Sequence, residues 1–182
     1  MGGTKKSIAQ LSTLYKEVME LLSGSGIDFI LFYGTLLGQK RDNEFIDGDD
    51  DIDVLIKDSE YPKLRKYVES NIRKFPNLSF GLKEETILQL HSHTIGPFDI
   101  YTYSELNDDI LLPWDGNLLI SKVNLFPCNK IKFKGFDVLI PANADAICEE
   151  MYGPMWKTPQ RKDIDYIWKD VTKVRILKDK RS

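Results

Sequence analysis

From Lys5 to Leu22 the apolar residues fall at Ile8, Leu11, Tyr15, Val18 and Leu22. Steps of three and four put them on one face of a helix, and Gly24 and Gly26 end it. The pattern then changes. "IDFILFY" (27–33), apolar except for Asp28, reads as a strand stopped by Gly34, and "TLLGQKR" (35–41) suits a short helix entered from a glycine turn. "DIDVLI" (51–56) predicts the second strand. Asp58 or Ser59 can cap a helix reaching about Phe75, with Pro62 tolerated in its first turn. Strands follow around "LSFGLK", "TILQLHSHTI" and "FDIYTY", the last two joined at Gly96-Pro97. "KIKFKGFDVLI" reads as a hairpin turning near Gly135. "NADAICEEMYG" reads as a helix capped by Asn143 and closed by Gly153, and a last helix is expected from about Asp163. The alternation predicts an α+β chain.

Length and composition narrow the class. A chain of 182 residues suits a single domain over 1–182, burying roughly 70% of its unfolded surface. Apolar residues make up 42% and charged residues 29%, the balance of a soluble globular protein. A net charge of −3 argues against a general nucleic-acid binder, and the basic "KVRILKDKRS" at the C-terminus reads as a solvated helix end. Cys128 and Cys148 form neither a metal spacing nor a disulfide framework. They suit reduced, buried thiols and a cytoplasmic setting. The apolar run 27–33 falls far short of the ~20 residues of a membrane span, and the N-terminus has no hydrophobic signal core.

One stretch breaks the ordinary pattern. In "FIDGDDDIDVLIK" (45–57) five aspartates lie within the seven positions from Asp47 to Asp53, and the run passes directly into Val54, Leu55 and Ile56. Strand side chains alternate, so Asp51 and Asp53 share a face, with α-carbons roughly 6–7 Å apart. That suits two carboxylates converging on a hard cation or bridging a pair of them. Asp49 joins them if the strand extends back that far. The plainer alternative is a solvated acidic loop, but aspartate is a poor strand residue and here the acids continue into the strand. "DIDYIW" at 163–168 makes a useful contrast. Ile164, Ile167, Trp168 and Val171 form a helical stripe, on which Asp163 and Asp165 point roughly 200° apart, into solvent.

Asp99 in "GPFDIYTY" is a single acid between Phe98 and Ile100, costly to bury unless its charge is met. Adjacent strands lie ~4.8 Å apart, so it completes the cluster if its strand neighbours 51–56. Upstream, Gly34 permits close backbone approach, Thr35 offers a hydroxyl at the start of a helical turn, and Arg41 can grip phosphate oxygens bidentately. His91 and His93 share a face of their strand, without a further signal for a role. A calcium loop is an alternative: Asp47, Asp49, Asp51 and Asp58 fall at its ligand positions 1, 3, 5 and 12. Ile52 occupies the place that demands glycine.

Taken together, "GTLLGQKRDNEFIDGDDDIDV" resembles the hallmark segment of the LicD/fukutin-related family of the nucleotidyltransferase superfamily. The likeness continues in "FDIY", "LFPCNKIKFKGFDVLIPANADAICEEMYG" and "MWKTP". It implies a nucleotidyltransferase-like mixed sheet flanked by helices. It also implies Mg2+- or Mn2+-dependent transfer of a phosphorylated alcohol, of phosphocholine or polyol phosphate type. The donor would be CDP-linked and the acceptor a sugar or other hydroxyl, such as one in a glycan. On this resemblance Gly34 and Thr35 match the phosphate turn and Arg41 the basic residue. Asp51 and Asp53 match the metal pair, Asp49 the first acid and Asp99 the later one. Where the family commonly has Pro-Trp before the acids, this chain has Asp47-Gly48, and Trp114, Tyr152 and Trp156 are the other aromatics that could offer a stacking surface. Two readings stand beside this one: transfer of NMP from an NTP to a small molecule, and a non-catalytic nucleotide- or calcium-binding domain.

Overall fold

The structure is a computed structural model that describes residues 4–84, 86–159 and 175–176. Helix α1 spans Ile8–Leu22. Ser7 caps it in a reciprocal capping box with Gln10, and its buried face carries Leu11, Leu14, Tyr15, Val18, Met19, Leu21 and Leu22. Strand β1 is only Ile30–Leu31, shorter than the apolar run predicts. Phe32 ends it, and Tyr33 takes φ 44° to start helix α2, Tyr33–Asp42. Gly34 therefore lies inside the first turn of α2 rather than ahead of it. Asn43, at φ 52°, closes the helix in the left-handed conformation.

Strand β2, Ile52–Lys57, is followed by a short 3₁₀ turn and by α3, Tyr61–Asn71, with proline in its first turn. Next come β3 (Leu78–Glu84), β4 (Ile87–Ser92) and the long β5 (Pro97–Leu106). β6 (Asp109–Leu112), β7 (Leu118–Ser121) and the one-turn α4 (Lys122–Leu125) were not expected from the sequence pattern. Their apolar pieces are four residues or fewer, broken by Pro113, Asp115 and Asn117. The expected hairpin is β8 (Asn129–Phe133) with β9 (Phe136–Ile140), and the expected capped helix is α5, Ala144–Tyr152. Arg175–Ile176 form β10. The helix expected from about Asp163, with Asp163 and Asp165, lies outside the described residues.

The strands form one mixed sheet in the order β10-β7-β6-β5-β2-β1-β9-β8, with β4 and then β3 laid against the first half of β5. β2 is antiparallel to β1 and parallel to β5, in a register that sets Asp53 opposite Asp99. β4 runs antiparallel to β5 with Gln89 opposite Asp99. Gln89, Asp99 and Asp53 thus stand in a row across three strands. Helix α1 packs on β5 and α3, and α2 packs on β2 and α5. No helix among the described residues is long and apolar enough to cross a membrane.

Tyr15 is the hub of the core beneath α1. Its ring meets Phe45, Phe98, Phe133 and Phe136 with centroids 5.5–6.2 Å apart. Its hydroxyl is buried without a hydrogen-bond partner among the described residues. A buried orphan hydroxyl costs about 1–3 kcal/mol. Tyr15→Phe keeps the ring contacts and removes that cost. We expect a rise in Tm of a few degrees, read by thermal melting; a fall would show that the hydroxyl is satisfied in solution.

Candidate active site

Residues directly opposite one another on a ladder project to the same face, so the β2–β5 register alone brings Asp53 and Asp99 together. Asp51 stands one residue before β2. One oxygen from each of Asp51, Asp53 and Asp99 lies within 4.8 Å of the others, and the same holds for Asp49, Asp50 and Asp51, so Asp51 belongs to both groups. Asp53 is 6% and Asp99 5% exposed. The strand does not extend back to Asp49. Instead the loop folds its carboxylate over α2, where a Cβ built on Gly34 would lie 2.5 Å from Asp49 Oδ2. A side chain at position 34 would have to displace the Asp49 carboxylate from where it now lies.

The first turn of α2 is joined to Asp53 on all sides. The Gly34 N–H donates to its carboxylate. Its own N–H donates to the buried Thr35 hydroxyl at 2.9 Å, and its carbonyl accepts from Phe32 N–H at 3.3 Å. Arg41 stands two turns further along α2. Its Nε donates to the Trp156 carbonyl at 2.5 Å and its Nη2 to the Thr158 carbonyl at 3.2 Å, holding that segment on the helix.

Several partners of the cluster were not found in the sequence. Lys6 is 5% exposed and donates from Nζ to the carbonyls of Thr4 and Asp50, each at 2.7 Å. Its backbone also pairs with the acidic loop, through Lys6 N–H to Asp49 O (2.9 Å) and Gly48 N–H to Lys6 O (2.8 Å). Asp99 accepts from Gln89 Nε2 at 2.5 Å on one oxygen and from the Tyr101 hydroxyl at 3.2 Å on the other. The signal for Gln89 was present: a lone amide in an apolar strand, two positions from His91. His91 meets Gln89 Oε1, whereas His93 lies beyond β4 and is exposed. Tyr101 stacks edge-on against Tyr33, whose buried hydroxyl has no partner among the described residues, and its ring also neighbours Trp114, 40% exposed. Trp156 is buried and Tyr152 half-buried.

The electrostatics follow from this crowding. Burial drives the Asp53 carboxyl well above the usual carboxylate range, and Asp51, Asp99 and Asp49 push it further, with only the Gly34 N–H opposing. Burial likewise raises the Tyr33 and Tyr101 hydroxyls, with acids of the cluster adding to it. A set made only of carboxylate oxygens is a hard donor set, fit for Mg2+ or Mn2+ rather than for a soft metal. A divalent cation would supply the positive charge that ionised Asp53 otherwise lacks.

The raised value has a signed consequence for metal-free protein. A group whose folded pKa lies above its unfolded value, about 3.9 for aspartate, contributes stability that is full below that value. The contribution is lost as pH rises through the folded pKa. Carboxyls held low by lysine, such as Glu105 by Lys122, Asp137 by Lys132 and Asp145 by Lys40, slope the opposite way. Asp53→Asn isolates the one group. In EDTA, the stability of the parent relative to Asp53→Asn should fall as pH rises above the unfolded value of about 3.9. A flat difference across a melting series would show that Asp53 ionises as an ordinary carboxylate.

Comparison with known proteins agrees with this fold. The structure is similar to that of lincosamide antibiotic adenylyltransferase LnuA, lincomycin-bound, with a TM-score of 0.51 at 14% identity over 78% of this chain and 85% of that one. It is also similar to the antibiotic-resistance factor ANT(2'')-Ia in solution, with a TM-score of 0.54 at 12% identity over 87% and 77%. A crystal structure of ANT(2'')-Ia with adenylyl-2''-tobramycin gives 0.52 at 12% over 88% and 83%. At such identities the likeness shows the fold. A comparison with curated protein sequences gives no match. The sequence model described as LicD/FKTN/FKRP, nucleotidyltransferase domain, matches residues 26–143, from the turn before β1 through the cap of α5. The chain therefore belongs to the LicD/FKTN/FKRP nucleotidyltransferase-domain family and is a transferase.

Proposed function

We propose that the chain moves a phosphorylated alcohol from a CDP-linked donor to a hydroxyl acceptor, such as a glycan. Asp51, Asp53 and Asp99 would hold Mg2+ or Mn2+, with Asp49 alongside. One observation carries the reading: three aspartate oxygens within 4.8 Å of one another at the end of two parallel strands. A divalent cation bound there would neutralise charge on the donor diphosphate and acidify the attacking hydroxyl. The acceptor oxygen attacks phosphorus, the bond to the bridging oxygen breaks, and CMP leaves. In this reading the hydroxyl proton goes to Asp99. Gly34 and Thr35, at the N-terminal end of α2, fix Asp53 and favour an anion beside it. Arg41 would bring its guanidinium charge to the donor phosphate. Trp114, beside Tyr101, offers an aromatic surface for the transferred group. A cytoplasmic setting suits the two thiols, which burial raises to about 11 in Cys128 and about 12 in Cys148.

A second reading, transfer of NMP from an NTP, is favoured by LnuA, a neighbour in fold named as an adenylyltransferase. The same carboxylates would serve it. Incubation with Mn2+ and either CDP-linked alcohols or NTPs separates the two by product: CMP from the first, pyrophosphate from the second. Neither product, with nucleotide binding retained, would leave a binding domain without turnover.

A further inference from the structure

We infer that Gln89 and Tyr101 are positioning residues for Asp99, and that His91 acts on Asp99 through Gln89. The inference rests on the reading that Asp51, Asp53 and Asp99 hold a divalent cation. The chain of contacts begins at the acid. An ionised carboxylate only accepts, so the Gln89 amide must turn its NH₂ to Asp99 Oδ1, the contact at 2.5 Å. That leaves Oε1 pointing away. His91 Nε2 sits 2.5 Å from it and must therefore bring the proton. The amide is 5% exposed, so water has little room to replace the imidazole. The imidazole N–H on Oε1 adds to the carboxylate's own demand for the NH₂, and the two together lock the amide against a flip. On the other side, the Tyr101 hydroxyl donates to Oδ2 at 3.2 Å, and its ring is wedged between Tyr33 and the exposed Trp114.

Both oxygens of Asp99 are thus held from outside the cluster, by β4 on one side and by its own strand on the other. The direction of its remaining lone pairs is set before any ligand arrives. Register makes this possible: Gln89 lies opposite Asp99, and Asp99 lies opposite Asp53, so the holding group and the held group share one line across the sheet. Partners that orient a ligating side chain are worth about 10–100-fold in metal affinity.

The test is a Mn2+ titration followed by electron paramagnetic resonance, with Mn2+ alone and with CDP added, on the full chain. Gln89→Met is expected to weaken Mn2+ binding about tenfold or more and to change the line shape of the bound ion. His91→Ala, which touches no carboxylate, should weaken it about threefold to tenfold by the same route. The decisive arm is the double variant. If His91 acts through Gln89, Gln89→Met/His91→Ala binds no worse than Gln89→Met alone. Additive losses would overturn the role of His91, and parent-like affinity in Gln89→Met would overturn the whole inference. Tyr101→Phe keeps the ring packing and should cost a few-fold, so it carries the test if Gln89→Met does not fold; unchanged binding there would count against the hold. If the parent itself binds no Mn2+ under either condition, the metal reading fails and this inference fails with it. If the parent binds and Asp53→Asn does not, failure of the Gln89 arm falls on this inference alone.

Discussion

Asp53→Asn is expected to abolish turnover and the metal-dependent rise in Tm together, while the metal-free protein keeps or gains stability. The two halves have one cause. Asparagine has nearly the same shape, and its oxygen can still accept from Gly34 N–H, so the first turn of α2 stays in place. What disappears is a charge that burial and three neighbouring acids already disfavour. Its loss relieves the empty cluster and disables the loaded one. Charge stabilisation by a bound cation is worth several kcal/mol, so a loss of about 10³-fold or more in turnover follows. Asp51→Asn should act in the same direction, since Asp51 belongs to both groups of acids. Thermal melting with and without Mn2+, beside a product assay, checks both halves. Catalytic Mg2+ completes its shell with substrate phosphate, so the melts are repeated with a CDP-linked ligand. A metal-induced shift that survives in Asp53→Asn would remove Asp53 from the ligand set.

Gly38→Ala should be the most damaging of the small changes outside the cluster. A Cβ there would lie 2.5 Å from the Glu44 carbonyl oxygen and 3.1 Å from both Ile46 N and Ile46 Cγ1. Two of those three atoms are backbone and cannot swing aside. Overpacking of this kind costs roughly 2–3 kcal/mol, which for a domain of this size lowers Tm by roughly 5–10 °C. The effect should not stop at stability. Residues 44–46 lead into the acidic loop, so moving them moves Asp49 to Asp51, and the response to Mn2+ should shrink as well. An unchanged melt would mean that the end of α2 does not press on this loop in solution.

What could be read from the sequence was local. The spacing in α1, the Asn143 cap of α5 and the turn at Gly135 are each decided within a few residues, and they stand in the structure where the pattern put them. The parity of Asp51 and Asp53 was also local, but their meeting with Asp99 was not. It depends on β5 lying parallel to β2, which the cost of a lone acid in an apolar strand and the motif resemblance suggested but local pattern could not fix. Where backbone geometry departs from pattern, pattern failed. No apolar periodicity signals that Tyr33 takes a positive φ and cuts β1 to two residues. The hairpin of β6 and β7 was hidden because its strands are short and its turn holds a tryptophan. Gly34 was read as permitting close backbone approach, and the structure adds the Asp49 carboxylate beside that position. Arg41 was read from its chemistry toward phosphate, and the structure gives that chemistry two carbonyl partners more than a hundred residues away.

The hold of residues 4–6 on the acidic loop ties the order of that loop to the start of the chain. The two Lys6–loop backbone bonds and the buried ammonium on Asp50 O lie outside the ladders of the sheet, and we expect them to open as one small unit. Such units open together below the global unfolding energy. The amides of Lys6 and Gly48 would then exchange with solvent deuterium at a common rate, and a cation settling among Asp49, Asp50 and Asp51 would slow both. A chain shortened to begin at Ser7 would keep its helices and strands, yet its acids would sample more directions before meeting a ligand. In that sense the disposition of the acidic loop is an entropic property of a segment that contributes no carboxylate to it.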